Sequence, residues 1–345
     1  MSRIPFVDVR AMSRWMAWRG VERLMPQLVD ALEDDFRRWD AFELSPRVAA
    51  HSGEGVIELM PASDSETFGF KFVNGHPVNP SRGLQTVTAF GVLADVRTGY
   101  PTFMAEMTLL TALRTGATSA LAARWLARPD ARVMALIGTG AQAEFQALAF
   151  RSVCGIEQIR AFDIDPDALA KFARHATSLG LDVQVASSVA DAVAGADIIT
   201  TCTADKRAAT VLRDVDVVPG VHINAIGGDC PGKTELDPAI VRRARVFVEY
   251  EPQARIEGEI QQVGPDFPVT ELHEVITSGV GRRAYDDITL FDSVGFAVED
   301  LCALRFLRAD VLGTEFVTEL DLVASPADPR DLYGLVAAET PVSIV

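Results

Sequence analysis

The chain has 345 residues, enough for about two domains at roughly 150 residues each. Apolar residues make up 48% and charged residues 23% of it, the balance of a globular protein rather than a disordered or collagen-like one. The 32 Lys and Arg against 48 Asp and Glu leave a net charge of −16, which argues against nucleic acid, since phosphate backbones need a positive footprint.

Four cysteines (Cys154, Cys202, Cys230, Cys302) lack CxxC spacing, so neither a disulfide framework nor a zinc ribbon is expected. Five histidines lack metal-ligand spacing, and no metal is expected. The first residues, MSRIPFVDVRAMSRWM, lack the apolar core of a signal peptide. No run of about 18 uncharged apolar residues is present to span a membrane. A cytoplasmic protein with reduced thiols is the expectation.

In chain order, Val21, Met25, Leu28, Leu32, Phe36 and Trp39 recur at steps of three and four, predicting an amphipathic helix. Strand-like runs follow at Gly55–Met60, Phe68–Val73 and Thr86–Ala94. A turn at Asp95–Pro101 leads to Thr102–Glu106, so a hairpin and a mainly antiparallel sheet are predicted. Thr108 to Ala127 reads as one helix, ended by Arg128-Pro129-Asp130. Short apolar runs then alternate with helical stretches: Val133–Ile137, Ile159–Phe162, Val183–Val185, Ile198–Thr201, Val221–Ile226 and Val246–Tyr250. That rhythm predicts βαβ units and a parallel sheet. A last strand at Ile288–Phe291 precedes a helix from about Gly295 to Val311, and the tail from Gly313 is less regular.

Val133-Met-Ala-Leu-Ile-Gly138-Thr-Gly140-Ala-Gln-Ala143 places GxGxxA between a strand and a helix. In a dinucleotide site Gly138 permits the tight turn, Gly140 the close approach of a pyrophosphate, and Ala143 the packing of helix on strand. Asp163 ends the next strand about 25 residues after Gly138, near the position that binds a ribose 2′-hydroxyl and so favours NAD over NADP. Asp165 is an alternative for that job, or a turn residue. Thr203 follows a further strand at the end where such sheets hold ligands.

The loop Asn224-Ala-Ile-Gly-Gly-Asp229-Cys-Pro-Gly-Lys233-Thr-Glu also follows a strand; composition alone reads it as a Gly-Pro turn. No histidine stands within it to activate Cys230 as a nucleophile, so a packing role is the plainer one. Lys71 alternates with Phe68, Phe70 and Phe72 and so lies on the opposite strand face; an exposed strand lysine is the plain reading. Arg47 and Arg114 read, on the same terms, as solvated charges.

Taken together, several long and irregular words resemble the ornithine cyclodeaminase/μ-crystallin family. They are Ser45-Pro-Arg-Val-Ala, Gly55-Val-Ile-Glu-Leu-Met-Pro61, Phe70-Lys-Phe-Val-Asn-Gly-His-Pro77 and Thr111-Ala-Leu-Arg-Thr-Gly-Ala117, joined by Gly138–Phe145, Gly227–Leu236, Arg255–Gln262 and Phe291–Phe296. The resemblance implies an α/β fold: a Rossmann-type doubly wound parallel sheet, plus an α+β substrate and dimerisation domain with a mainly antiparallel sheet. It places the substrate domain at 1–116, completed by about 312–345, and the NAD-binding domain at 117–311.

The activity it implies is conversion of L-ornithine to L-proline and ammonia: oxidation by NAD⁺ to an α-imine, attack by the δ-amine, loss of ammonia, and re-reduction of the cyclic imine. Arg47, Lys71 and Arg114 would clamp the substrate carboxylate, with Glu58 near the δ-amine and Val294 as an apolar wall. Asp229 would be the catalytic acid/base. Cofactor contacts would come from Thr86, Arg114, Gly138, Gly140, Ala141, Gln142, Asp163, Thr203, Ile223, Asn224, Ala225, Ile226, Lys233 and Ser293. A homodimer is implied as well. The family's other activities supply the alternatives: a lysine cyclodeaminase, an NAD(P)-dependent imine reductase or amino-acid dehydrogenase, or a non-enzymatic binder.

Overall fold

The computed structural model describes residues 3–204 and 209–339. Its first sheet starts with β1 (Ile4–Val7), β2 (Val48–His51), β3 (Val56–Ser63), β4 (Thr67–Gly75), β5 (Val87–Asp95) and β6 (Pro101–Glu106). Strands β2 to β6 pair antiparallel with their sequence neighbours, while β1 lies parallel to β6.

The second sheet holds β7 (Val133–Ile137), β8 (Gln158–Phe162), β9 (Asp182–Val185), β10 (Ile198–Thr201), β11 (His222–Ala225), β12 (Arg245–Val248), β13 (Thr270–Glu271) and β14 (Thr289–Asp292). Its spatial order is β13-β12-β14-β11-β10-β7-β8-β9, all parallel. The chain builds outward from β7 to β9, then returns to lay β10 on the other side of β7. The reversal opens a crevice at the C-terminal ends of β7 and β10, where doubly wound sheets bind ligands.

Both chain ends return to the first sheet, for β15 (Thr318–Leu320) pairs antiparallel with β1. The helix Ala297–Val311, grouped by the sequence reading with the parallel sheet, packs instead against β3, β4 and β5. Glycines make that contact possible: a Cβ on Gly69 would sit 2.8 Å from Leu301 Cδ1, and one on Gly91 2.9 Å from Leu304 Cδ1. The helix Val21–Arg37 buries Leu24, Met25, Leu28, Leu32 and Phe36 in the same core, the face its periodicity predicts.

This packing inverts the plain reading of β4. The covered face is the one carrying Gly69, Lys71 and Val73, so Lys71 is buried, while Phe68 is 39% exposed on the other. Ile57, Leu59 and Phe90 share that outer, exposed face with Phe68. No helix among the described residues is long and apolar enough to cross a membrane.

Candidate active site

The dinucleotide crevice begins at the turn after β7. Gly138 has φ +98°, and a Cβ there would lie 2.7 Å from the carbonyl oxygen of Cys202; only glycine takes this turn without strain. At Gly140 the same construction meets nothing within 4 Å, so the backbone is open to a ligand. Ala141 is exposed, and Ala143 is buried at the start of the helix Ala143–Cys154. Gln142 Oε1 is buried with no hydrogen-bond partner among the described residues.

At the end of β8, Asp163 accepts hydrogen bonds from the Thr139 N–H (2.6 Å), the Thr139 hydroxyl (2.9 Å) and the Asp165 N–H (2.9 Å). Its carboxylate is held at the crevice. Asp165 caps the helix Pro166–Ser178, accepting from the Asp167 N–H at 2.9 Å, as an N-cap aspartate does.

Across the crevice, the Thr203 N–H donates to Glu235 at 2.9 Å and its hydroxyl donates to the same carboxylate. Lys233 Nζ donates to the Thr203 carbonyl (3.2 Å) and to Asp229 Oδ1 (3.1 Å). Asp229 keeps a half-open side chain, 54% exposed. Of the β11 residues, Ile223 and Ala225 are buried in the apolar core, and Asn224 donates to Gln146 and Thr200 at 3.3 Å each. Ile226 follows at the strand end, bonded to the Thr201 carbonyl. Ser293 donates its N–H to Ala225 and its hydroxyl to Glu249. Thr86 stands apart, in the loop before β5, its carbonyl accepting from the His76 N–H.

Arg47, Lys71 and Arg114 come together below this crevice, and none of them is a solvated surface charge. Lys71 Nζ is 2.8 Å from Asp300, whose carboxylate also takes Arg114 Nε at 2.9 Å. Arg114 Nη1 reaches Glu299 at 2.9 Å. Arg47, just before β2, pairs with Glu58 and Glu257 at 3.1 Å each and donates to the carbonyls of Val294 (2.6 Å) and Gly295 (2.7 Å). Glu58 lies on the inner face of β3, toward Lys71's side of the sheet, with Oε1 buried and unpartnered among the described residues.

Burial, then the Arg114 and Arg47 guanidiniums, push the Lys71 ammonium down to about 8 against the pull of Asp300. Burial likewise pushes Glu299 up to about 8, against Arg114, and Glu257 up to about 7, against Arg47. Asp300 resists its burial, because Arg114 and Lys71 hold it below the ordinary carboxylate value. Burial therefore opposes the charge of Glu299 and Glu257, and these two acids neutralise the cations beside them incompletely.

Sequence reasoning placed Glu58 in this cluster but missed its other acids, Glu257, Glu299 and Asp300. Glu257 lies within the Arg255–Gln262 word, but without an assigned role. Glu299 and Asp300 read as ordinary first-turn acids of a helix. The one available signal was two adjacent acids inside the otherwise apolar stretch Phe296–Leu304.

A family model described as "Ornithine cyclodeaminase/mu-crystallin family" matches residues 11–315. The ornithine cyclodeaminase of Agrobacterium fabrum is 56% identical over 334 residues, covering 96% of this chain and 94% of that protein. Among solved structures, a lysine cyclodeaminase, described through its recognition of L-lysine, L-ornithine and L-2,4-diaminobutyric acid, superposes with a TM-score of 0.89. It is 35% identical and covers 97% of this chain and 100% of its own. An archaeal alanine dehydrogenase dimer with bound NAD gives 0.85 at 31% identity, covering 93% and 100%. The chain belongs to the ornithine cyclodeaminase/μ-crystallin family.

Proposed function

We propose that this chain is an NAD-dependent ornithine cyclodeaminase, converting L-ornithine to L-proline and ammonia without net redox change. The observation that carries the reading is the meeting of a buried, incompletely neutralised cation cluster with an open dinucleotide crevice, with Asp229 at their junction. The crevice suits NAD. Gly138 makes the tight turn and Gly140 leaves room for the pyrophosphate, the unpartnered Gln142 Oε1 offers an acceptor, and the fixed Asp163 carboxylate suits a ribose 2′-hydroxyl while repelling a 2′-phosphate. NAD, when bound, supplies two-electron oxidation of the substrate Cα and the later reduction.

The chain's own residues do the rest. Arg47, Lys71 and Arg114 anchor the α-carboxylate, each charge-assisted contact contributing roughly 1.5–3 kcal/mol, and Val294 walls the apolar side. Glu58 holds the δ-amine and takes its proton. Because that amine is tethered to the carbon it attacks, ring closure gains a large effective molarity. Asp229 moves protons between the two nitrogens and protonates the departing α-amine. Thr86, Thr203, Lys233, Ser293 and the Ile223–Ile226 strand are proposed to complete the cofactor site, Ile223 and Asn224 through the strand that presents Ile226.

Ornithine is preferred to lysine because of the 56% identity to an ornithine enzyme against 35% to a lysine enzyme. One methylene separates the two, worth about 1–3 kcal/mol in a pocket. The exposed apolar face carrying Ile57, Leu59, Phe68 and Phe90 supports a homodimer closed through the first sheet. Cys154, Cys202 and Cys302 stand in no disulfide among the described residues, which suits a reducing cytoplasm. The substrate unit is proposed to join residues 1–116 with the chain from about 297 onward, around a cofactor-binding middle.

The test is mass spectrometry of products from ornithine and from lysine with catalytic NAD⁺. Proline formed without net NADH is expected. Stoichiometric NADH would replace the proposal with a dehydrogenase.

A further inference from the structure

Three buried carboxylates that the proposed chemistry leaves unused stand in series behind the Gly227–Lys233 loop. Asp292, at the end of β14, accepts the N–H groups of Glu259 (2.8 Å) and Ile260 (2.9 Å). The Glu259 side chain accepts those of Glu235 (2.6 Å) and Leu236 (3.1 Å). Glu235 in turn accepts the N–H and the hydroxyl of Thr203. Each carboxylate grips the backbone of the segment that carries the next group.

Glycines make room for the series. A Cβ on Gly258 would lie 2.5 Å from Asp292 Oδ2, and one on Gly228 2.8 Å from Glu259 Oε1, while one on Gly227 would collide with the Glu235 carboxylate. The paired glycines before Asp229 are therefore required by these carboxylates, whatever ligand approaches the loop. Thr203 has three polar groups, and all are committed to the same loop: its N–H and hydroxyl to Glu235, its carbonyl to Lys233.

Each of these side chains accepts at least two hydrogen bonds at once. The cost is burial, which pushes Glu259 up to about 8 and Asp292 up to about 7. Acids kept at such a cost fix geometry in the way that outer partners orient the groups of a reactive site.

We propose that Glu235 and Glu259 are positioning residues that lock Thr203 to the Asp229–Lys233 pair, so that one brace sets both the cofactor wall and the proton-transfer carboxylate. The inference rests on the proposed function for the role of Asp229. It is tested with Glu235→Ala, Glu235→Gln and Gly228→Ala, the last displacing Glu259 without touching Thr203. NADH binding is read by fluorescence, and kcat and the ornithine KM by steady-state kinetics.

In Glu235→Ala and Gly228→Ala, NADH affinity and kcat should each fall by about tenfold or more, with the ornithine KM within about twofold because the cation cluster is untouched. Glu235→Gln, which keeps an acceptor toward Thr203, should restore most of both. A merely structural role would lower the denaturation midpoint and leave kcat and NADH affinity of the folded protein unchanged; that result overturns the proposal. Should Glu235→Ala not fold, Gly228→Ala alone decides, by the same criterion. NADH affinity is read without any amino-acid substrate, so failure of the parent to make proline would refute the function and leave the brace under test.

Discussion

Lys71→Met separates binding from stability at a single buried position. Lys71 is 1% exposed, and its ammonium, ordinarily at 10.5, is pushed down to about 8 by burial and by Arg114 and Arg47. At about 1.36 kcal/mol per pKa unit, the charged form is disfavoured in the folded state by about 3 kcal/mol. The folded pKa is lowered, so the unfolded chain binds the proton more tightly. The penalty is present in full below pH 8 and disappears as pH rises toward 10.5. Methionine has comparable reach and no charge. The stability of Lys71→Met relative to the parent should therefore fall by about 3 kcal/mol between pH 7.5 and pH 10.5, measured by urea unfolding at several pH values. Over the neutral range the same variant should raise the ornithine KM at least about tenfold, through one lost charge-assisted contact. A stability difference that stays constant with pH would show that Lys71 is not a strained buried cation, and the reasoning would fail.

Asp229→Asn should cut kcat by at least about 10² while NADH binding and the unfolding midpoint hardly move, since Asp229 is half exposed and among the described residues pairs only with Lys233; an unchanged kcat removes the acid/base assignment. Arg47→Ala should raise the ornithine KM and cost about 3–5 kcal/mol of stability, because Glu58 and Glu257 lose the cation between them; a normal KM takes Arg47 out of the clamp. Gly138→Ala forces a Cβ onto the Cys202 carbonyl at positive φ, so NADH affinity should collapse while ornithine protection against thermal unfolding survives. The parent's own stability should be lower at pH 8 than at pH 6. Glu299 and Glu259 are raised to about 8 and Asp292 and Glu257 to about 7, so the folded chain binds more protons than the unfolded one until those groups ionise. Calorimetry across that interval showing a rise instead would reverse the assignment.

Much of the architecture was legible because its signals are local. Apolar runs alternating with helices foretold the parallel sheet, and the GxGxxA word foretold the crevice at its switch point. The antiparallel strands also emerged near their observed bounds. What failed was the side of β4. Alternation separates Phe68, Phe70 and Phe72 from Lys71, but period-two spacing does not say which face is covered. Side-chain chemistry favoured the phenylalanines, and the structure buries the lysine, since the helix Ala297–Val311, more than 200 residues later in the chain, lies on that face.

Gly69 and Gly91 were the overlooked clue. Two glycines on the lysine's face of neighbouring strands weaken a sheet unless another element approaches closely, and here Leu301 and Leu304 do. The helix that exploits them also delivers Asp300 and Glu299, the partners of Lys71 and Arg114. The covering of the sheet and the construction of the charged pocket are thus one packing event. Cation and counterion lie on segments that meet only in the folded chain, so neither could be assigned from its own neighbours in sequence. The same holds for Glu257 beside Arg47 and for Glu235 beside Thr203. The chain's net charge of −16 conceals this arrangement: the cations that matter are inside, Lys71 and Arg114 held by Asp300, which they keep below the ordinary carboxylate value, while Arg114 and Arg47 also face Glu299 and Glu257, whose charge burial opposes.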